Sequence, residues 1–124
     1  RFLDSLRATN ARAYGECGGY MVLGEALTDA EGHAHAMAGL LPLTTSFATR
    51  KLQLGYRQMQ PLPGSPWATP LRGHEFHYST IAREGNADRL FRVRDAAGNA
   101  RPDAGMRVGR VMGSYLHVIS KVPT

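Results

Sequence analysis

The 124 residues are 43% hydrophobic with a formal charge of +5, which allows one domain with a core of its own. A single cysteine, Cys17, excludes an internal disulfide, and no apolar run approaches the roughly 18 residues that a membrane span requires. The positive charge is spread over separated arginines from Arg50 to Arg110, with no basic run and no interleaved aromatics. That pattern reads as a solvated surface, argues against nucleic acid as a partner, and leaves an anionic substrate or acidic partner face as a secondary reading.

In chain order, residues 1–7 read as the second half of an amphipathic helix ending near Thr9-Asn10. With no initiator Met and no signal-peptide pattern, the chain is expected to be a fragment of a longer cytoplasmic protein. Ala13-Tyr14-Gly15 then leads as a short strand into Glu16-Cys17-Gly18-Gly19. From Gly18 to Leu27, apolar Met21, Val22, Ala26 and Leu27 recur at helical spacing, and the cluster over residues 28–32 should stop that helix. Residues 37–47 are apolar, broken by Pro42, and are expected to be irregular. Residues 51–57 and 73–79 alternate and predict strands, separated by a loop holding Pro61, Pro63, Pro66, Pro70 and Trp67. Residues 90–94 and 107–111 predict two more, and Gly113-Ser114-Tyr115-Leu116-His117 closes the series. Helices first and strands later imply an α/β fold with a strand-rich C-terminal half, whose sheet rim carries the chemistry.

Most lone cysteines are small core hydrophobes. The context of Cys17 argues otherwise, because a regular core element has no use for Gly15, Gly18 and Gly19 around it, each costing about 0.5–1 kcal/mol there. Glycines flanking a nucleophile are the sequence form of a nucleophile elbow, a strained strand-to-helix turn that exposes a side chain. Its position at a helix N-terminus is expected to favour the thiolate.

A cysteine nucleophile needs a base, commonly distant in sequence. His117, preceded by Gly113-Ser114 at the end of a short strand, is the candidate. His74 and His77 flank Glu75, but on a strand residues 75 and 77 share one face while 74 takes the other, so a zinc site is not expected. The three residues are expected to line or support a polar pocket. His33 and His35 read as solvated loop residues.

Several segments, in order, resemble cobyrinic and hydrogenobyrinic acid a,c-diamide synthases. They are Gly15-Glu16-Cys17-Gly18-Gly19-Tyr20-Met21-Val22-Leu23-Gly24, Met37-Ala38-Gly39-Leu40-Leu41, Thr45-Ser46-Phe47, the run from Arg50 to Arg57, Arg72-Gly73-His74-Glu75-Phe76-His77-Tyr78-Ser79 and Gly113-Ser114-Tyr115-Leu116-His117. The resemblance covers nearly the whole chain. It implies that residues 1–124 are the C-terminal portion of a class I-type glutamine amidotransferase domain, with an incomplete flavodoxin-like sheet. An ATP-binding domain and the first part of the glutaminase domain would then precede residue 1.

The resemblance further implies a glutamine-hydrolysing amidoligase of cobalamin biosynthesis that amidates the a and c carboxylates of a corrinoid, with L-glutamine as nitrogen donor. Cys17 would be the nucleophile, His117 its base, and the Gly18 N–H an oxyanion donor; a second donor would come from a loop ahead of residue 1. ATP and magnesium would belong to the full-length enzyme, since no Gly-x-x-x-x-Gly-Lys loop occurs here, and no cofactor or metal is expected in this piece. Two positions depart from the wider pattern. Met21 stands four residues after Cys17 where many amidotransferases have Gln, and Ile119 stands two after His117 where an acid is usual, leaving Glu75 as the candidate to orient His117. A homodimer is kept open. Competing readings are a related tetrapyrrole amidase (cobyric acid or sirohydrochlorin diamide synthase), a non-catalytic amidotransferase-like module, and a cysteine hydrolase acting on peptides.

Overall fold

The computed structural model describes residues 2–9 and 11–122. Helix α1 (Phe2–Ala8) carries Asp4 in its first turn and Arg7 in its last, 3.0 Å apart. Arg1 and Asn10, expected at the two ends of this segment, lie outside the described residues. Strand β1 (Ala13–Glu16) follows, then Cys17, then α2 (Gly18–Leu23). Next come three short strands: β2 (Ala26–Thr28), β3 (Ala34–Ala36) and β4 (Leu43–Ser46).

The helix expected over residues 18–27 is therefore shorter. A Cβ at Gly24 would lie 2.5 Å from the Leu43 carbonyl oxygen, so the chain leaves α2 at a closeness to β4 that only glycine permits. Beyond it, residues 26–28 pair in parallel with residues 44–46, and that ladder overrides the helical spacing. Residues 37–47 likewise depart from expectation, since β4 forms within them with Leu43 and Thr45 fully buried.

The longer strands overlap the expected ones with shifted bounds, and the first of them runs four residues further, to Pro61, into the segment expected as a loop. They are β5 (Gln53–Pro61), β6 (Leu71–His77) and, after β7 (Thr80–Glu84), β8 (Phe91–Asp95). The chain continues through β9 (Ala100–Ala104), β10 (Met106–Val108), β11 (Val111–Ser114) and β12 (His117–Lys121). Residues 107–111, expected as one strand, are instead folded back on themselves: Gly109 takes φ 59°, turning β10 into an antiparallel pair with β11.

Three sheets result among the described residues, in the orders β1-β11-β10, β12-β6-β5-β8-β9 and β3-β2-β4-β7. The architecture is a mixed, strand-rich α/β body. β11 is its pivot, pairing in parallel with β1 and burying all four of its residues. Because successive strand residues face opposite ways, Val111 joins one core with Tyr20, Leu23, Leu41 and Leu43. Met112 joins the other with Met59, Leu71, Leu90 and Phe91. Tyr115 and Leu116 repeat this division just beyond the strand. The chain then enters β12 at His117, so β11 and its extension carry the backbone from the floor of both cores to the sheet rim. Among the described residues, no helix is long and apolar enough to cross a membrane.

Candidate active site

Cys17 occupies the turn between β1 and α2 with φ 54° and ψ −108°, the one non-glycine residue with positive φ among those described. Such a backbone costs an L-residue about 1–3 kcal/mol and persists only where its surroundings impose it. Here they do. The Cys17 N–H donates to the Ser114 carbonyl at 2.9 Å, and its own carbonyl accepts from Met21 N–H at 3.1 Å. A Cβ on Gly15 would lie 2.7 Å from the backbone of Gly19, and one on Gly113 would lie 2.6 Å from the Gly15 carbonyl oxygen. Three glycine backbones thus stack on either side of the turn. Gly18 differs, because a Cβ there meets nothing within 4 Å; it faces open space beside the sulfur.

The expected preference for thiolate is reversed in sign. Burial pushes the Cys17 thiol up, and the Glu75 and Glu16 carboxylates add to the rise, while the Gly18 N–H beside the sulfur opposes it. A helix of six residues is too short for its dipole to outweigh partial burial and two nearby negative charges.

His117 opens β12 and is paired across the ladder with His74 on β6. Gly73 makes that approach feasible, since a Cβ there would sit 2.9 Å from the His117 carbonyl oxygen. The His117 ring is about half exposed, with Nδ1 3.5 Å from Glu16 Oε1. The other oxygen of Glu16 accepts the Val118 N–H at 3.1 Å. Glu16, the residue before Cys17, is thus also the carboxylate beside His117, although Cys17 and His117 are 100 positions apart in sequence.

Glu75 sits elsewhere in this arrangement. Its Oε1 accepts from Arg57 Nε at 3.1 Å and its Oε2 lies 2.7 Å from His77 Nε2, so Glu75, expected as the candidate to orient His117, is held by these two residues, and the carboxylate in contact with His117 is that of Glu16. Side-chain exposure in this triad is only 15% for Glu75, 6% for Arg57 and 7% for His77. Burial pushes the Glu75 carboxyl up, but His77 and Arg57 outweigh it and hold the group below the usual carboxylate range. His77 Nδ1 faces the Ser79 carbonyl at 2.9 Å, and its ring stacks on Tyr115 with centroids 3.8 Å apart. The Tyr115 and Ser79 hydroxyls are 2.8 Å apart. Burial, partly offset by Ser79 and reinforced by Cys17, pushes the Tyr115 phenol up to about 12.

A cavity of about 240 Å³ lies against this network, lined in part by Tyr20, Glu75, His77, Ser79, Tyr115 and Leu116. His74 points away from it, its ring 5.3 Å from Tyr56 on the opposite sheet face. His74 and His77 thus lie on opposite faces, as the strand period requires. His35 and His33 contact the Asp29 carboxylate, which also accepts the Glu31 and His33 backbone N–H groups; this ties the β2–β3 hairpin. Sequence reasoning missed Glu16, Arg57, Ser79 and Tyr115. Only Glu16 carried a signal, a carboxylate adjacent to the thiol.

A thiol on a strained turn between a strand and a helix, with a histidine beside the preceding carboxylate, is an arrangement that cysteine-dependent transferases and hydrolases use. Residues 2–123 match the CobB/CobQ-like glutamine amidotransferase domain, and the chain belongs to that family. Among curated proteins it is similar to hydrogenobyrinate a,c-diamide synthase of Brucella anthropi, 65% identical over 122 residues that are 96% of this chain and 28% of the relative. The proteins of the same name from Sinorhizobium sp and Rhodobacter capsulatus are 53% and 52% identical over 94% and 97% of the chain, which are 27% and 28% of their lengths. The chain thus spans little more than a quarter of the length of these relatives.

Proposed function

We propose that this chain is the glutaminase portion of an ATP-dependent amidoligase that amidates the a and c carboxylates of hydrogenobyrinic or cobyrinic acid in cobalamin biosynthesis, taking nitrogen from glutamine. The observation that carries this reading is the backbone of Cys17, φ 54° between β1 and α2, which is the conformation a nucleophile elbow requires. In the same reading β1, β11 and α2 belong to an incomplete flavodoxin-like sheet, the C-terminal part of a class I-type glutamine amidotransferase domain. The family membership and the relatives' shared name support the substrate assignment.

The chemistry follows from the protonation state of the sulfur. Because burial and two carboxylates raise the thiol, Cys17 rests neutral at pH 7, and its proton must leave as it attacks. His117 takes that proton while the sulfur bonds to the side-chain amide carbon of glutamine. The developing oxyanion meets the Gly18 N–H, a donor of a kind worth about 3–4 kcal/mol in the transition state. The C–N bond then breaks, and the imidazolium returns its proton to the departing ammonia. Water attacks the remaining thioester with His117 again as base, releasing glutamate and restoring the thiol. No Gly-x-x-x-x-Gly-Lys loop occurs in this chain, so ATP and magnesium are assigned to the rest of the full-length enzyme.

The test is glutamate release from glutamine by the full-length polypeptide and its Cys17→Ser and His117→Ala variants. Loss of at least three orders of magnitude in the first and two in the second is expected. Unchanged turnover in both would refute the assignment.

A further inference from the structure

Glu16 is the one residue that touches the histidine and adjoins the cysteine. We infer that Glu16 is the positioning residue of this site, the carboxylate that sets the ring of His117 for proton transfer with Cys17. The inference rests on the glutaminase reading above.

Three observations support it. The first is the gap it fills. The residue two after His117 is Ile119, more than half exposed and unable to orient an imidazole, while Glu75, the other nearby carboxylate, is held by Arg57 and His77. The second is geometry. Glu16 Oε1 lies 3.5 Å from His117 Nδ1, which leaves Nε2 as the nitrogen open to exchange a proton with the sulfur. The third is the anchoring of the carboxylate itself. Glu16 Oε2 accepts the Val118 N–H at 3.1 Å, so the acid is bonded to the backbone of the residue next to the histidine it serves. β1 registers Glu16 opposite Ser114 on β11, and the Cys17 N–H is bonded to the Ser114 carbonyl. Nucleophile, acid and base are thereby referred to one short stretch of backbone, residues 114–118. A carboxylate that fixes the tautomer and stabilises the transient imidazolium is the third member that cysteine and serine nucleophile sites generally need.

Such a role has a cost that the structure also shows. The negative charge that would steady the imidazolium also opposes ionisation of the neighbouring thiol, adding to the upward push on Cys17. Loss of the charge should therefore act in opposite directions on two readouts. A residue that merely holds the fold would move both the same way.

The experiment compares Glu16→Gln, Glu16→Asp and Cys17→Ala in the full-length polypeptide. Glu16→Gln is nearly isosteric and its amide oxygen still accepts the Val118 N–H. It should lower kcat for glutamine hydrolysis on the order of 100-fold, with KM for glutamine changed less than threefold. At the same time, alkylation of Cys17 by iodoacetamide at pH 8 should speed up severalfold. Glu16→Asp should recover part of the lost kcat. Wild-type kcat in Glu16→Gln, or a parallel fall in both turnover and alkylation, would overturn the inference. If Cys17→Ala itself still hydrolyses glutamine, the glutaminase reading fails instead; if Cys17→Ala is dead and Glu16→Gln is fully active, only the role of Glu16 fails.

Discussion

Replacing Glu75 by glutamine removes the carboxylate that a buried arginine and a buried histidine share. Arg57 Nε at 3.1 Å and His77 Nε2 at 2.7 Å both close on this one carboxylate, and neither side chain is more than 7% exposed. Breaking a buried ion pair from one side leaves the partner uncompensated and costs about 3–5 kcal/mol. The residual 15% exposure of Glu75 argues for the lower figure, about 3 kcal/mol, or roughly two decades in the opening equilibrium of the surrounding strands. The measurement is amide hydrogen exchange of peptides covering β5 and β6, which can be read within a full-length polypeptide. Protection there should fall on the order of 100-fold in Glu75→Gln. The pH dependence carries a sign. Burial raises the Glu75 carboxyl, but His77 and Arg57 bring it below its ordinary value, so its stabilisation is fully present above the unfolded carboxyl pKa of about 4.3 and fades as pH falls through the lower folded value. The difference in protection between wild type and Glu75→Gln should therefore shrink as pH falls below about 4. A loss of protection under fivefold, or a difference that grows on acidification, would refute the buried-network argument.

Gly15→Ala should cost about 2 kcal/mol or more, the range for overpacking a closed site, because its new methyl would lie 2.7 Å from the Gly19 backbone and 2.9 Å from Leu23 Cδ1; thermal unfolding and glutamine turnover should both fall, whereas Gly18→Ala, with open space at its Cβ, should leave the unfolding temperature nearly unchanged. Cys17 in the wild type should alkylate slowly at pH 7, with a rate that climbs beyond pH 9, since its thiol is raised from 9.0; an inflection at or below pH 8 would contradict the electrostatics described.

Much of this site was legible in the sequence, and the reasons differ by residue. The turn at Cys17 could be read because glycine density is a local signal. The Glu75–His77 bond is likewise local, since residues two apart on a strand share a face. The pairing of Glu16 with Val118 and His117 spans about a hundred residues, and only the parallel register of β1 on β11 creates it. The direction of the alternation in β5 was also hidden. Leu54 and Tyr56 are exposed, whereas Arg57 is buried, so at this end of the sheet the inward face is the polar one. A reading by hydropathy alone would place the face toward solvent. The short strands β2, β3 and β4 escaped for a related reason: three or four residues carry too little period to compete with a helical pattern, and the close passage at Gly24 is visible only in three dimensions.

The backbone of Cys17 places stability and turnover in direct opposition. At φ 54° glycine would sit without the strain that cysteine bears, so Cys17→Gly, which removes the proposed nucleophile, should relax the polypeptide by up to about 1–3 kcal/mol. Folding by itself would favour glycine at this position, so the strain at Cys17 is a cost that only the proposed chemistry accounts for.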